Sequence, residues 1–299
     1  MTQVSVVIPS YNAEALLPRT LDALKAQNFK QDIEVLVVDC SESTAVEKLC
    51  NEYDVGYHHE TDRFNPGIGR NIGAKLAKGE LLVFLDADVE LESDAIANAW
   101  EYYALGHKAF GGALELNEQV DPSIASYLEH YFFNHESQAG RPACSRSNLS
   151  SALMVLKKDL FLDAGGFKDI PRMQDTEMTE RLIRNGVELY FCPSVIGLQI
   201  QDSPLKKVLK KIYINGKNLY FIRYQKKSFI FKTCLMITLP ILSTFKICRI
   251  IGRHLRYQTL RQKFITLGMS PLLFVSGAYW MAGLYRSMIF GGEISKKRD

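Results

Sequence analysis

The chain has 299 residues, of which 47% are hydrophobic, 23% charged and 11% aromatic, a composition that builds a packed core and excludes a disordered or fibrous chain. Its net charge of +3 conceals a split: residues 1–199 carry 17 Lys/Arg against 30 Asp/Glu, and residues 200–299 carry 19 against 3. Six scattered cysteines, with no C-x-x-C pair and no tight Cys/His cluster, exclude a zinc module and a disulfide scaffold and fit a reducing compartment.

Met1 to Ser10 runs straight into a strand pattern, with no signal peptide expected. Val4–Pro9 reads as a buried strand, and Ala13–Gln27 as a helix with apolar spacing at Leu16, Leu17, Leu21 and Leu24. Strand Ile33–Val38, helix Ala45–Tyr53 and short strand Gly56–His59 follow. Helix Asn65–Lys78 opens on Pro-Gly, and strand Leu81–Leu85 ends at Asp86. Such alternation predicts an α/β domain with a mostly parallel central sheet and helices on both faces. Ligands of such sheets collect at the carboxyl ends of the strands, here Ser10-Tyr11-Asn12, Asp39-Cys40-Ser41 and Asp86-Ala87-Asp88. Further on, an aromatic helix lies within Gln119–Gly140, strands at Ser151–Leu156 and Tyr190–Leu198, and a helix at Thr176–Asn185 closed by Gly186.

Beyond Asp202-Ser203-Pro204 the chain turns basic, which places a domain boundary near residue 203: a catalytic domain over 1–203 and a basic, helical, membrane-associated region over 204–299. Phe264 to Tyr285 is 22 residues without a charge or histidine, and a bilayer-spanning helix needs roughly 20. Thr233 to Phe245 is a shorter run of 13 uncharged residues containing Pro240, expected to lie in the interface or re-enter. Apolar runs flanked by basic residues favour a membrane over nucleic acid as partner. A pair that does not fully cross keeps every basic segment on one side, including the tail Lys296-Lys297-Arg298. The rival reading, two core helices of a soluble bundle, needs both runs buried.

Asp86 and Asp88 follow an apolar strand, and alternation along an extended segment points both to one side. Hard oxygen ligands of this kind suit Mg²⁺ or Mn²⁺ held jointly with a diphosphate. A solvated acidic turn is the plain alternative. Context decides for the metal. VSVVIPSYNAE at 4–14, EVLVVDCSES at 34–43, NPGIGRNIGAKLAKGELLVFLDAD at 65–88, AGGFKD at 164–169 and QDTEMTERLIRNG at 174–186 together resemble glycosyltransferase family 2. The resemblance spans about residues 4–220 and implies the GT-A fold and an inverting enzyme using nucleotide-sugar donors.

The resemblance implies roles residue by residue. Pro9, Tyr11 and Asn12 support the nucleotide, and Asp39 accepts a hydrogen bond from the base. Arg70 and Asn71 approach the nucleotide and the D-x-D turn. Asp86 contacts the ribose or metal, Asp88 ligates the metal, and Asp175 is the general base. Three positions depart from the family pattern: Cys40 replaces a polar neighbour of Asp39, Gln174 the acid before Asp175, and Gln199 a histidine near the metal. The Q-x-x-R-W motif of processive synthases is absent, which favours addition of a single sugar. The expected partners are a UDP-, GDP- or dTDP-sugar and a lipid or lipid-linked acceptor, met at the cytoplasmic membrane face. A nucleotidyltransferase would need a Gly/Lys-rich phosphate loop near the N-terminus, which VSVVIPSYNAE does not provide. A non-catalytic membrane scaffold would have no reason to keep Asp86, Asp88 and Asp175.

Overall fold

A computed structural model describes residues 3–62, 65–170 and 172–291, and the basic tail at 296–298 lies outside the described residues. In chain order the elements are β1 (Val4–Ser10), α1 (Leu17–Lys25), β2 (Ile33–Asp39), α2 (Ala45–Glu52), β3 (Gly56–His59), α3 (Pro66–Leu76), β4 (Leu81–Leu85) and β5 (Val89–Leu91). Next come α4 (Ala95–Ala104), β6 (Ala109–Leu116), α5 (Ile124–Asn134), β7 (Cys144–Arg146), β8 (Leu153–Lys157), α6 (Lys158–Asp163), α7 (Gln174–Arg184) and β9 (Leu189–Gln199). The chain then stays helical through α8 (Leu205–Leu219), a π-helical turn at Tyr220–Tyr224, α9 (Phe229–Tyr257) and α10 (Leu260–Phe290).

The strands form one sheet in the order β3-β2-β1-β4-β8-β6-β9-β5, with β7 pairing along β9. β1 lies parallel to β2 and β4, and β2 parallel to β3. β8 pairs antiparallel with β4 and β6, and β9 antiparallel with β5 and β7. The predicted parallel arrangement therefore covers the half built from strand–helix alternation, and the rest makes the sheet mixed. β1, β4 and β8 are almost completely buried, as strands covered on both faces must be. In-register pairing of Ser10 with Asp39 sets the ends of β1 and β2 side by side.

Contacts divide the chain into two units, the first Met1–Glu115, Arg141–Asp169 and Gln174–Gln199, the second Leu116–Gly140, Ile170–Met173 and Ile200–Asp299. A single boundary near residue 203 does not describe this division. Residues 116–140 join the later helices because α5 buries Tyr127, Tyr131 and Phe132 in one cluster with Val208 and Ile212 of α8 and Leu273 of α10.

Within the second unit, α9 and α10 form an antiparallel hairpin. Ser243 donates to the Gly277 carbonyl at 3.0 Å and Tyr285 to the Met236 carbonyl at 2.7 Å. Pro240 explains the second bond. It has no N–H for the carbonyl four residues back, and the Tyr285 hydroxyl takes the freed oxygen. The uncharged stretch at 233–245 is thus the middle of a continuous 29-residue helix whose last turns are the basic stretch 246–257. Both helices are long and apolar enough to cross a membrane, yet only 28% and 33% of their apolar windows are buried. Phe229, Ile237, Ile241, Phe264 and Phe290 are all exposed, which disfavours the reading as core helices of a soluble bundle.

Candidate active site

The carboxyl edge of the sheet in the first unit gathers the predicted polar residues. β4 ends at Leu85, and Asp86 opens a tight turn in which the Val89 N–H donates back to the Asp86 carbonyl at 3.1 Å. The residues are therefore not extended, as the alternation argument assumed, and the two acids meet different partners. Asp86 pairs with the Arg70 guanidinium. Asp88 accepts from the Gln199 amide at 3.4 Å, because β5 follows at once and Val89 pairs with Gln199. Asp86 keeps 32% of its side chain exposed, so one face of the pair remains open to a ligand.

Asp39 sits deeper than the family pattern suggests. It is fully buried, with one oxygen accepting the Ser41 hydroxyl at 2.7 Å and the other the Ser41 N–H at 3.2 Å. The Tyr57 hydroxyl adds a long contact at 3.5 Å. Burial first, and then the Asp39 charge, push the Tyr57 phenol up to about 12. Ser41 Oγ in turn accepts the Asn12 N–H at 2.8 Å, where Asn12 takes a left-handed φ of 50°. Asp39 consequently orders the loops after β1 and β2 through Ser41. Tyr11 and Asn12 are the exposed residues of this corner, and Pro9 is half-buried in β1.

α3 starts on Asn65, whose Oδ1 caps the Gly67 and Ile68 N–H groups with Pro66 in the first turn, a strong start signal. The same Oδ1 accepts from Gln174 Nε2 at 2.9 Å, and Asn65 Nδ2 donates to Asp169. Glutamine supplies an N–H here that the family's usual acid could not. One turn into α3, Arg70 is 2% exposed, holds Asp86 and lies 5.7 Å from the Phe167 ring centroid. Neighbouring Asn71 turns the other way. Its amide donates to the Phe167 carbonyl at 2.7 Å and accepts the Phe167 N–H at 2.8 Å. Gly166 there has φ +64°, and a Cβ would stand 2.5 Å from Asn71 Oδ1. The family resemblance implies that Asn71 approaches the nucleotide; in the structure its side chain clamps this turn. Asn65 has no role in the family pattern, although Asn-Pro-Gly before an apolar helix is a readable capping signal.

Asp175 is the second residue of α7, half-buried and in its first turn. Burial pushes its carboxyl up, against the Thr176 N–H, the Arg70 charge, the Ser151 N–H and the Thr176 hydroxyl, which pull it down. Arg70 thus acts on both Asp86 and Asp175, which the sequence places 89 residues apart. Glu177 plays no part in this cluster. It is committed to Arg181 and Lys168, both at 2.9 Å, and although burial pushes its carboxyl up, these two cations hold it below the usual range. Arg181 also donates to the Ala164 and Gly166 carbonyls, fixing the same turn that Asn71 clamps.

A family model described as "Glycosyl transferase family 2" matches residues 5–163, more than half the chain and the whole parallel half of the sheet. The chain belongs to glycosyl transferase family 2. Among family relatives, glycosyltransferase AglE of Haloferax volcanii is 25% identical over 222 residues, 72% of each chain. The GalNAc(5)-diNAcBac-PP-undecaprenol beta-1,3-glucosyltransferase of Campylobacter jejuni is 31% identical over 121 residues, 38% of this chain and 39% of that one. Among solved structures, mannosyltransferase PcManGT from Pyrobaculum calidifontis, in complex with GDP-Man and Mn²⁺, superposes with a TM-score of 0.64 at 18% identity, covering 97% of this chain and 88% of that one. The fold is GT-A, and the protein is a glycosyltransferase.

Within that family fold, the acids at Asp86 and Asp88 offer a ligand set made of oxygen alone. No cluster of three His, Cys, Asp or Glu able to hold a metal occurs among the described residues. Two half-buried carboxylates two residues apart fit a divalent ion whose remaining positions are filled by a donor diphosphate and water. They do not fit a permanently bound metal.

Proposed function

We propose that this glycosyltransferase moves one sugar, with inversion, from a UDP-, GDP- or dTDP-sugar to a lipid or lipid-linked acceptor at the cytoplasmic face of a membrane. The observation that carries this reading is the Arg70-centred cluster, which combines an exposed-face Asp86 with an Asp175 whose carboxyl is raised by burial. A base needs a pKa lifted toward the working pH to take a proton and still be ionised. Asp175 takes the acceptor hydroxyl proton as the oxygen attacks the anomeric carbon opposite the leaving diphosphate. One base facing one leaving group gives inversion.

Asp86 and Asp88 would hold Mn²⁺ or Mg²⁺ together with the donor, and that ion would supply Lewis-acid stabilisation of the departing diphosphate. Arg70 orients Asp86, and its charge pulls the Asp175 carboxyl down against the upward push of burial. Asp39, through Ser41, holds the Asn12 and Tyr11 corner against which the nucleotide lies. The helical unit carries the membrane contact: its positive balance, its exposed apolar helices and a relative named for an undecaprenol-linked substrate support a lipid-linked acceptor, with the basic segments cytoplasmic.

The test is binding of UDP, GDP and dTDP to the detergent-solubilised chain, each with and without Mn²⁺, for wild type and Asp88→Ala. The reading expects metal-dependent binding of one nucleotide, lost in Asp88→Ala. A folded sample that binds none of them contradicts it and favours the scaffold.

A further inference from the structure

In the helical unit, Lys246 stands where the uncharged run of α9 ends. Its ammonium lies 4.3 Å from the Phe132 ring centroid and 4.2 Å from that of Trp280, between two aromatic faces that favour a cation. Lys246 makes no hydrogen bond or ion pair among the described residues. The charges that act on it are those of Arg249, Arg223 and Glu136, and Glu136 is itself paired with Arg253 at 2.6 Å. Lys246, Arg249 and Arg253 fall at i, i+3 and i+7, one face of the helix. Trp280 Nε1 is buried without a partner, an indole N–H left in need of an acceptor.

Glu136, already paired with Arg253, is thus the one carboxylate acting on Lys246, against the further positive charge of Arg249 and Arg223 and beside an unused N–H donor. Nearby His135, outside the apolar helices, is held neutral: burial first, then the charges of Lys246, Arg253, His254 and Arg249, push its pKa well down. Positive charge gathered at the end of an apolar helix run is where a lipid phosphate meets a protein. Arginine forks and a lysine point charge are the usual partners of phosphate oxygens.

We propose that Lys246, Arg249 and Trp280 form a binding site for the phosphate or diphosphate of a membrane lipid. The site deepens the lipid-linked acceptor reading and rests on it. Phosphate chemistry is shared by a polyprenyl diphosphate and by the headgroups of bulk anionic lipid, and the experiment separates the two.

Trp280 is the reporter. The chain has two tryptophans, so the Trp100→Phe protein isolates its fluorescence. This protein in phosphatidylcholine nanodiscs is titrated with polyprenyl diphosphate, with phosphatidic acid and with inorganic pyrophosphate. The titrations are repeated with Lys246→Gln, with exposed Arg249→Gln, which leaves the ring stack intact, and with Lys206→Gln as a charge-matched control away from the cluster. A lipid-dependent Trp280 change, weakened about tenfold in Lys246→Gln and Arg249→Gln and unchanged in Lys206→Gln, establishes the site. A response to polyprenyl diphosphate alone assigns it to the acceptor, and an equal response to phosphatidic acid assigns it to the bulk headgroup. No response to either lipid, or one that all variants share, overturns the proposal. Nucleotide binding measured on the same samples keeps the two readings apart. If it persists while the lipid response is absent, the lipid site alone falls.

Discussion

Replacing Arg70 by methionine removes the one cation that serves both acids of the cluster. Arg70 is 2% exposed and Asp86 keeps 32% of its side chain exposed, so the carboxylate left behind can still reach water. The full 3–5 kcal/mol cost of breaking a buried pair is therefore not expected. The lost charge-assisted bond is worth about 1.5–3 kcal/mol. Part of that is offset, because Arg70 Nε is itself buried without a partner and the substitution removes this unmet donor. The net destabilisation should be about 1–2 kcal/mol, read as a lower urea midpoint at unchanged slope. The diagnostic effect is electrostatic. Arg70 pulls the Asp175 carboxyl down, so Arg70→Met should move the acidic limb of the kcat–pH profile to higher pH, the base needing a higher pH to ionise. Profiles of wild type and Arg70→Met, taken at saturating donor and acceptor, measure this. A limb that stays in place or moves to lower pH refutes the linkage between Arg70 and Asp175.

Other outcomes follow from particular contacts. A Cβ on Gly216 would stand 2.0 Å from the Trp280 carbonyl oxygen, and one on Gly252 meets nothing within 4 Å. Gly216→Ala should force α8 and α10 apart, costing about 1–3 kcal/mol, whereas Gly252→Ala should stabilise α9 by about 0.5–1 kcal/mol; thermal midpoints in detergent compare them. Asp175 has a folded pKa raised by burial, so the folded state keeps its proton to higher pH than the unfolded chain. Stability then falls as pH rises from the unfolded pKa through the folded one. Asp175→Asn should remove this fall and be the more stable protein above that window, as paired denaturation curves at acidic and neutral pH would reveal.

Much of the parallel half of the fold is legible from sequence, because its strands are short apolar runs punctuated by Asn-Pro-Gly, Asp-Cys-Ser and Asp-Ala-Asp. β3 and β4 coincide with their predicted ranges. β5 and β7 are three residues each, too short for any periodicity to register. The division into two units was hidden for another reason: α5 is buried almost all round, and nothing local says that its aromatic residues pack on helices some 80 to 150 residues later. At the site, the identities of Asp86 and Asp88 were readable but their geometry was not, since a tight turn and an extended strand end share the same letters. The family pattern brings Arg70 to the nucleotide and the D-x-D turn. Its burial and its pull on two acids distant in sequence emerge only when α3, β4 and α7 are brought together.

The central claim is that Asp175 is the base for sugar transfer and takes no part in holding the donor. Turnover and donor affinity measured side by side for wild type and Asp175→Asn test it directly, once the nucleotide panel has identified the donor. Loss of a positioned base should lower kcat by about 10²–10⁴-fold, with the donor Kd unchanged within error. An Asp175→Asn enzyme that keeps near-full turnover, or one whose loss lies entirely in donor binding, would contradict the account.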